Sequence, residues 1–89
     1  MQSRHLLVKG KVQGVFFRAS AKKVAESLEL AGWIKNVPSG DVEAVISGTE
    51  DKVQAFIEWC HHGPAEAKVT EVIVTARDEV IDEGFTIIK

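Results

Sequence analysis

Trp33-Ile34-Lys35-Asn36-Val37-Pro38-Ser39-Gly40-Asp41-Val42-Glu43-Ala44-Val45-Ile46-Ser47-Gly48 decides the fold. Trp33 to Val37 reads as a strand and Pro38-Ser39-Gly40 as a turn. Val42, Ala44 and Ile46 then alternate with Glu43, Val45 and Ser47, so the second half is the returning strand of a hairpin, ending at Gly48. On either side the period changes from two to 3.6. Upstream, Phe17, Ala21, Val24, Ala25 and Leu28 recur at helical spacing, with Lys22, Lys23, Glu26 and Glu29 on the other side. Gly32, after Leu30-Ala31, is the expected helix stop. Downstream, Thr49-Glu50-Asp51 reads as an N-cap followed by acids in a first turn. Val53, Phe56, Ile57 and Cys60 form the next apolar stripe, which His61-His62-Gly63-Pro64 closes. Residues 5–9 are a short first strand ending in Gly10. Val69 to Ala76 is a β-branched strand, Asp78 to Gly84 an acidic connection, and Phe85-Thr86-Ile87-Ile88 a last strand.

The order is therefore βαββαβ with one extra strand. It predicts an α+β, ferredoxin-like split βαβ sandwich, with two helices on one face of a mostly antiparallel sheet of 4–5 strands. Residues 1–89 are expected to be a single domain, because two cores in 89 residues would each be too small. Lys plus Arg number 11 against 13 Asp plus Glu, a formal charge of −2, which argues against a nucleic-acid partner. No apolar run approaches the ~20 residues that span a bilayer. The lone Cys60 excludes an intrachain disulfide and a four-thiolate zinc site. Together with an N-terminus lacking an apolar signal core, it predicts a cytoplasmic chain, and a monomer is expected.

The chemistry is concentrated in Gly10-Lys11-Val12-Gln13-Gly14-Val15-Phe16-Phe17-Arg18, a glycine-punctuated turn running from a strand into a helix. Such a turn presents several backbone N–H groups in a concave array at the positive end of the helix dipole, which suits a phosphate. Gly14 permits a positive φ or a close approach to the anion. Arg18, in the first helical turn, can reach back with its planar fork of donors. Asn36, taken alone, reads as a turn residue before Pro38 that bonds its own backbone.

Together, the loop Gly10 to Arg18 and the segment Gly32-Trp33-Ile34-Lys35-Asn36 with Gly40 resemble the signature of the acylphosphatase family. The length, the element order, Gly63-Pro64 and Phe85-Thr86-Ile87 fit as well. The resemblance implies a hydrolase that cleaves the carboxyl–phosphate anhydride of acyl phosphates. It implies phosphate binding by the backbone of Gln13, Gly14, Val15, Phe16, Phe17 and Arg18, a catalytic Arg18 gripping the phosphate, and a catalytic Asn36 orienting the attacking water. One departure is Ala21, where many relatives carry Thr. The neighbouring Ser20 points about 100° away around a helix.

A carboxylate leaving group, with a pKa near ~4, departs without a general acid. Holding the phosphoryl group, neutralising it and placing a water in line are what remain. The implied scheme uses no cofactor and no metal, so EDTA should not inhibit. Inorganic phosphate is expected to bind as product and competitive ligand.

Three rival readings differ in class. An RNA-binding module of the same element order needs exposed aromatics on its central strands, and residues 42–47 have none. A binding domain that keeps the cradle but does not turn over is left open by Ala21. A module at the start of a larger maturation enzyme is the third, and the expectation here is that 89 residues are the whole chain. Cys60-His61-His62 cannot converge on one ion, because consecutive helical residues diverge. Trp33 and the Phe16-Phe17 pair are expected in the core, Lys22-Lys23 on the wet face of the first helix, and Asp78-Glu79 with Asp82-Glu83 in a solvated loop.

Overall fold

A computed structural model describes residues 1–88. Five strands and two helices follow one another as β1 (Gln2–Lys11), α1 (Phe17–Ser27), β2 (Ala31–Asn36), β3 (Val42–Gly48), α2 (Glu50–His62), β4 (Lys68–Ala76) and β5 (Phe85–Ile88). The strand order is β4-β1-β3-β2-β5. Every pairing is antiparallel except β2 with β5, which run parallel. The hairpin is as read: Trp33 faces Val45 and Asn36 faces Val42. The split βαβ arrangement is thus present, with β5 added at the edge next to β2.

Alternation on the strands explains the layers. Leu6 and Val8 of β1, Ile34 of β2, and Val42, Ala44 and Ile46 of β3 are buried in one core with the helices. Both apolar stripes supply the other side of that core. Phe17, Ala21 and Ala25 of α1 and Val53, Phe56, Ile57 and Cys60 of α2 are the buried helical residues. Phe17 and Trp59 join the two helices through rings 5.2 Å apart.

Element ends differ from the sequence reading in instructive ways. Helix α1 stops at Ser27 rather than near Ala31, and Gly32 lies inside β2, paired with Ile46 and Phe85. The stop is made by Glu29, which takes a left-handed conformation (φ 57°). It lets the Leu30 N–H reach the Ala25 carbonyl and the Glu29 N–H reach that of Glu26. At α2, Thr49 is the N-cap residue, but its hydroxyl bonds the Asp51 carboxylate and caps no backbone N–H. Val37, read as strand, belongs to the turn, where its N–H meets the Asp41 carbonyl at 3.0 Å.

Because β4 and β5 lie at opposite edges, the acidic connection must cross the sheet. It does so at the end where β1 begins and β3 finishes. The Arg77 N–H bonds the Ser3 carbonyl, the Ile81 N–H bonds Ser47 Oγ, and the Gly84 carbonyl accepts from Gly32 N–H. Ser3 and Ser47, buried beneath it, bond each other at 3.0 Å. Asp78, Glu79, Asp82 and Glu83 are exposed. The opposite end of the sheet is left for the site.

Candidate active site

At that opposite end β1 runs out at Lys11, β2 at Asn36, and β3 starts at Val42. The chain leaves β1 through a bulge at Lys9/Gly10. A side chain at Gly10 is impossible there, since its Cβ would lie 2.2 Å from the Lys68 carbonyl oxygen. The loop then turns at Gly14 (φ 75°), where a Cβ would meet nothing within 4 Å, so the backbone faces open space. Val12 and Val15 anchor the loop from below, both buried in the core.

The loop ends in the first turn of α1, whose start is uncapped. No side chain bonds its free N–H groups, and no acidic residue occupies its first turn. Phe17, Ala19 and the intervening Arg18 therefore carry N–H groups without helical acceptors, at the positive end of the helix dipole. All three line a cavity of about 390 Å³. Gly14 and Phe16 line it from the loop, Asn36 from the end of β2, and Val12 and Ile87 complete the wall.

The side chains at this cavity are sharply divided in character. Among the described residues, Arg18 is its only charged group and Asn36 its only polar one, and no carboxylate lines it. Among the described residues, no acidic group forms an ion pair with Arg18. Asn36 Oδ1 is buried and has no hydrogen-bond partner. That overturns the reading of Asn36 as a residue that bonds its own turn: it lies on the strand, paired with Val42. The nearest acid in the chain beyond it, Asp41, is already spoken for. Lys9 Nζ donates to its carboxylate at 3.0 Å and Ser39 Oγ at 2.9 Å. The Lys9 hydrogen bond first, then that of Ser39, holds the Asp41 carboxyl below its ordinary pKa. A neutralised acid at the hairpin does not oppose an anion at the loop.

The structure gathers Gly14, Phe16, Phe17, Arg18 and Asn36 at one cavity. Gln13 and Val15 are not in its wall. The Val15 side chain is in the core, and Gln13 Nε2 donates at 2.8 Å to the carbonyls of both Val37 and Asp41, lashing the loop to the hairpin. Phe16 is not a core residue. It takes a left-handed conformation (φ 63°, ψ 22°) that turns its ring outward, 75% exposed. Trp33 is half-buried on the sheet face away from the helices, with Lys35 Nζ 5.3 Å from its ring centre. Cys60 is wholly buried, and burial pushes its thiol pKa up; His61 and His62 are exposed. Ile87 had no sequence signal, being one of several aliphatics in a terminal strand.

The acylphosphatase family profile matches residues 4–87. The chain belongs to the acylphosphatase family. An acylphosphatase of Syntrophus aciditrophicus (strain SB) is 49% identical over 86 residues, 97% of this chain and 83% of that one. One from Coxiella burnetii (strain RSA 493 / Nine Mile phase I) is 52% identical over 82 residues, 92% of this chain and 83% of the other. The crystal structure of the Bacillus subtilis acylphosphatase superposes with a TM-score of 0.95 at 36% identity, covering 100% of both chains. The chain is thus an acylphosphatase-family hydrolase, and its substrate class is a small-molecule acyl phosphate. Ala21 is fully buried against the core and takes no part in the cavity wall.

Proposed function

We propose that the cavity hydrolyses acyl phosphates with Arg18 and the loop backbone as the phosphate cradle and Asn36 as the residue that aims the water. The observation that carries this reading is the buried, unpartnered Asn36 Oδ1 sharing a cavity with Arg18 and an uncapped helix start. A buried acceptor left unsatisfied costs about 1–3 kcal/mol. A water donating one O–H to it relieves that cost and turns its lone pair toward the cradle.

In this scheme the phosphoryl oxygens sit against the backbone N–H groups of the loop residues at the cavity, Gly14, Phe16, Phe17 and Arg18, and against the Arg18 guanidinium, which neutralise their charge. The water oxygen bonds to phosphorus as the bond from phosphorus to the acyl oxygen breaks. The acyl oxygen departs with the electron pair as a carboxylate and needs no proton. The water's proton passes to a phosphoryl oxygen, so the products are a carboxylate and dihydrogen phosphate. No step calls for a metal or a cofactor. Inorganic phosphate, once formed, competes for the same cradle.

We read residues 1–89 as one domain acting as a cytoplasmic monomer. The single continuous core and the lone buried thiol support that reading.

Loss of benzoyl phosphate, followed by ultraviolet absorbance, tests the roles. Arg18→Ala lowers kcat/KM by roughly 10²–10³, the usual cost of removing a donor aimed at developing charge. Asn36→Ala lowers kcat more than it changes KM. An Asn36→Ala enzyme with raised KM and intact kcat would mean that Asn36 binds substrate and does not aim water.

A further inference from the structure

The phosphate cradle accounts for only part of the cavity wall. Its other walls are the side chains of Val12, Phe16 and Ile87, none of which can help an anion. Phe16 is the unusual member. It is one of two residues other than glycine with positive φ in the described chain. A left-handed conformation strains a bulky L-residue, because it brings Cβ close to the following carbonyl oxygen. Glycine at 16 would remove that strain, as it does at Gly14 two residues earlier. The ring is also 75% exposed, so it contributes little to the core. Folding therefore gives no reason for a phenyl ring at this position. An outlier in backbone conformation beside an active cavity points to a role in function.

We propose that Phe16 and Ile87, both in the cavity wall, seat the acyl group, and that the enzyme prefers acyl phosphates whose acyl group is aromatic or bulky and apolar. The proposal rests on the reading of Arg18 and Asn36 as the phosphate end. With the phosphoryl group held there, the acyl group projects away from the cradle, between the loop and the edge strand β5. Phe16 stands on the first of these and Ile87 on the second. An aromatic acyl group removes the exposed ring face from water and gains a ring–ring contact. A methyl group is too small to do either.

The test is kcat/KM for benzoyl phosphate divided by kcat/KM for acetyl phosphate, measured in the unmodified protein, Phe16→Gly, Phe16→Leu and Ile87→Ala. Dividing the two cancels any loss of phosphate grip common to both substrates. Phe16→Gly relieves backbone strain, so the variant that removes the ring also folds. The expected result is a ratio well above one in the unmodified protein and a fall of about fivefold or more in Phe16→Gly, the scale of one aromatic contact. Phe16→Leu keeps part of the preference, and Ile87→Ala shifts the ratio in the same direction as Phe16→Gly. Turnover of both substrates with a ratio untouched by Phe16→Gly overturns the acyl seat alone. Turnover of neither substrate overturns the underlying hydrolytic reading, and the seat with it.

Discussion

Gln13 shows how a residue can sit in a recognisable motif for a reason the motif does not display. Its amide spans from the loop to the carbonyls of Val37 and Asp41, 24 and 28 residues away. Val37 directly follows Asn36, so this amide ties the position of the loop to that of Asn36. Both carbonyls also accept a backbone N–H within the turn, so losing Gln13 strands neither. Gln13→Ala is therefore expected to cost only about 1 kcal/mol of stability by urea unfolding. Its effect on catalysis is larger: kcat falls about tenfold with KM nearly unchanged, because small misplacements of a reacting water are expensive in rate. An equal fall in stability and activity, with no kcat-specific component, would make Gln13 a structural brace only. Arg18 and Gly14 were legible in the sequence because the needs of an anion are local: donors, a helix start, a residue that tolerates positive φ. The Gln13 bonds, the unpartnered state of Asn36 Oδ1 and the place of Ile87 were not, because each depends on which distant strand arrives beside it; Asn36 itself was marked by the family resemblance alone.

At the level of elements, α1 is bounded by two left-handed residues, Phe16 and Glu29, neither of them glycine. The first faces the cavity. The second is remote from it and closes the helix. Apolar spacing placed the helix correctly over its buried residues, yet it could not place the end. Leu28, Leu30 and Ala31 prolong the apolar pattern past Ser27, and the glycine that drew attention is committed to β2. The exposed Glu29 is paired with Lys52, which depresses the Glu29 carboxyl pKa chiefly through their hydrogen bond. Substitutions separate the two contributions. Glu29→Ala loses the pair and keeps the strain, whereas Glu29→Gly loses the pair and the strain together. Thermal midpoints are expected to rank Gly above Asn above Ala at this position, with benzoyl phosphate turnover equal in all three. An Ala variant as stable as the Gly variant would show that the left-handed turn carries no strain.

Across the whole molecule the sheet has a worked end and a tied end. The ties are Ser3, Ser47 and the main chain of the crossover, all hydrogen-bonded at the edge farthest from Asn36. Ser47 Oγ donates to Ser3 Oγ and accepts the Ile81 N–H, each at 3.0 Å. Ser47→Ala leaves the buried Ser3 hydroxyl and the half-buried Ile81 N–H short of a bond, an expected loss of about 1–3 kcal/mol in urea unfolding. Amide exchange should quicken in residues 81–88 before it does in β1 or β3; a uniform change would mean the crossover and β5 are not a separable unit. The element order and the layering of two helices on one sheet were legible because a hairpin between two helices admits few arrangements. The crossover's course was not, since an acidic, irregular stretch carries no periodicity. That course also sets an expectation about order in time. Strand β5 joins the sheet through parallel pairs such as Gly32 with Phe85, contacts whose loop closure slows folding. Ile87 travels with it, so the cavity is expected to be complete only once β5 has docked on β2, an order that refolding followed separately at Ile87 and in β3 would check. A molecule held against Ile87 recognises the finished protein far better than its folding transition state. Its grip therefore lengthens the lifetime of the native enzyme without hastening its birth.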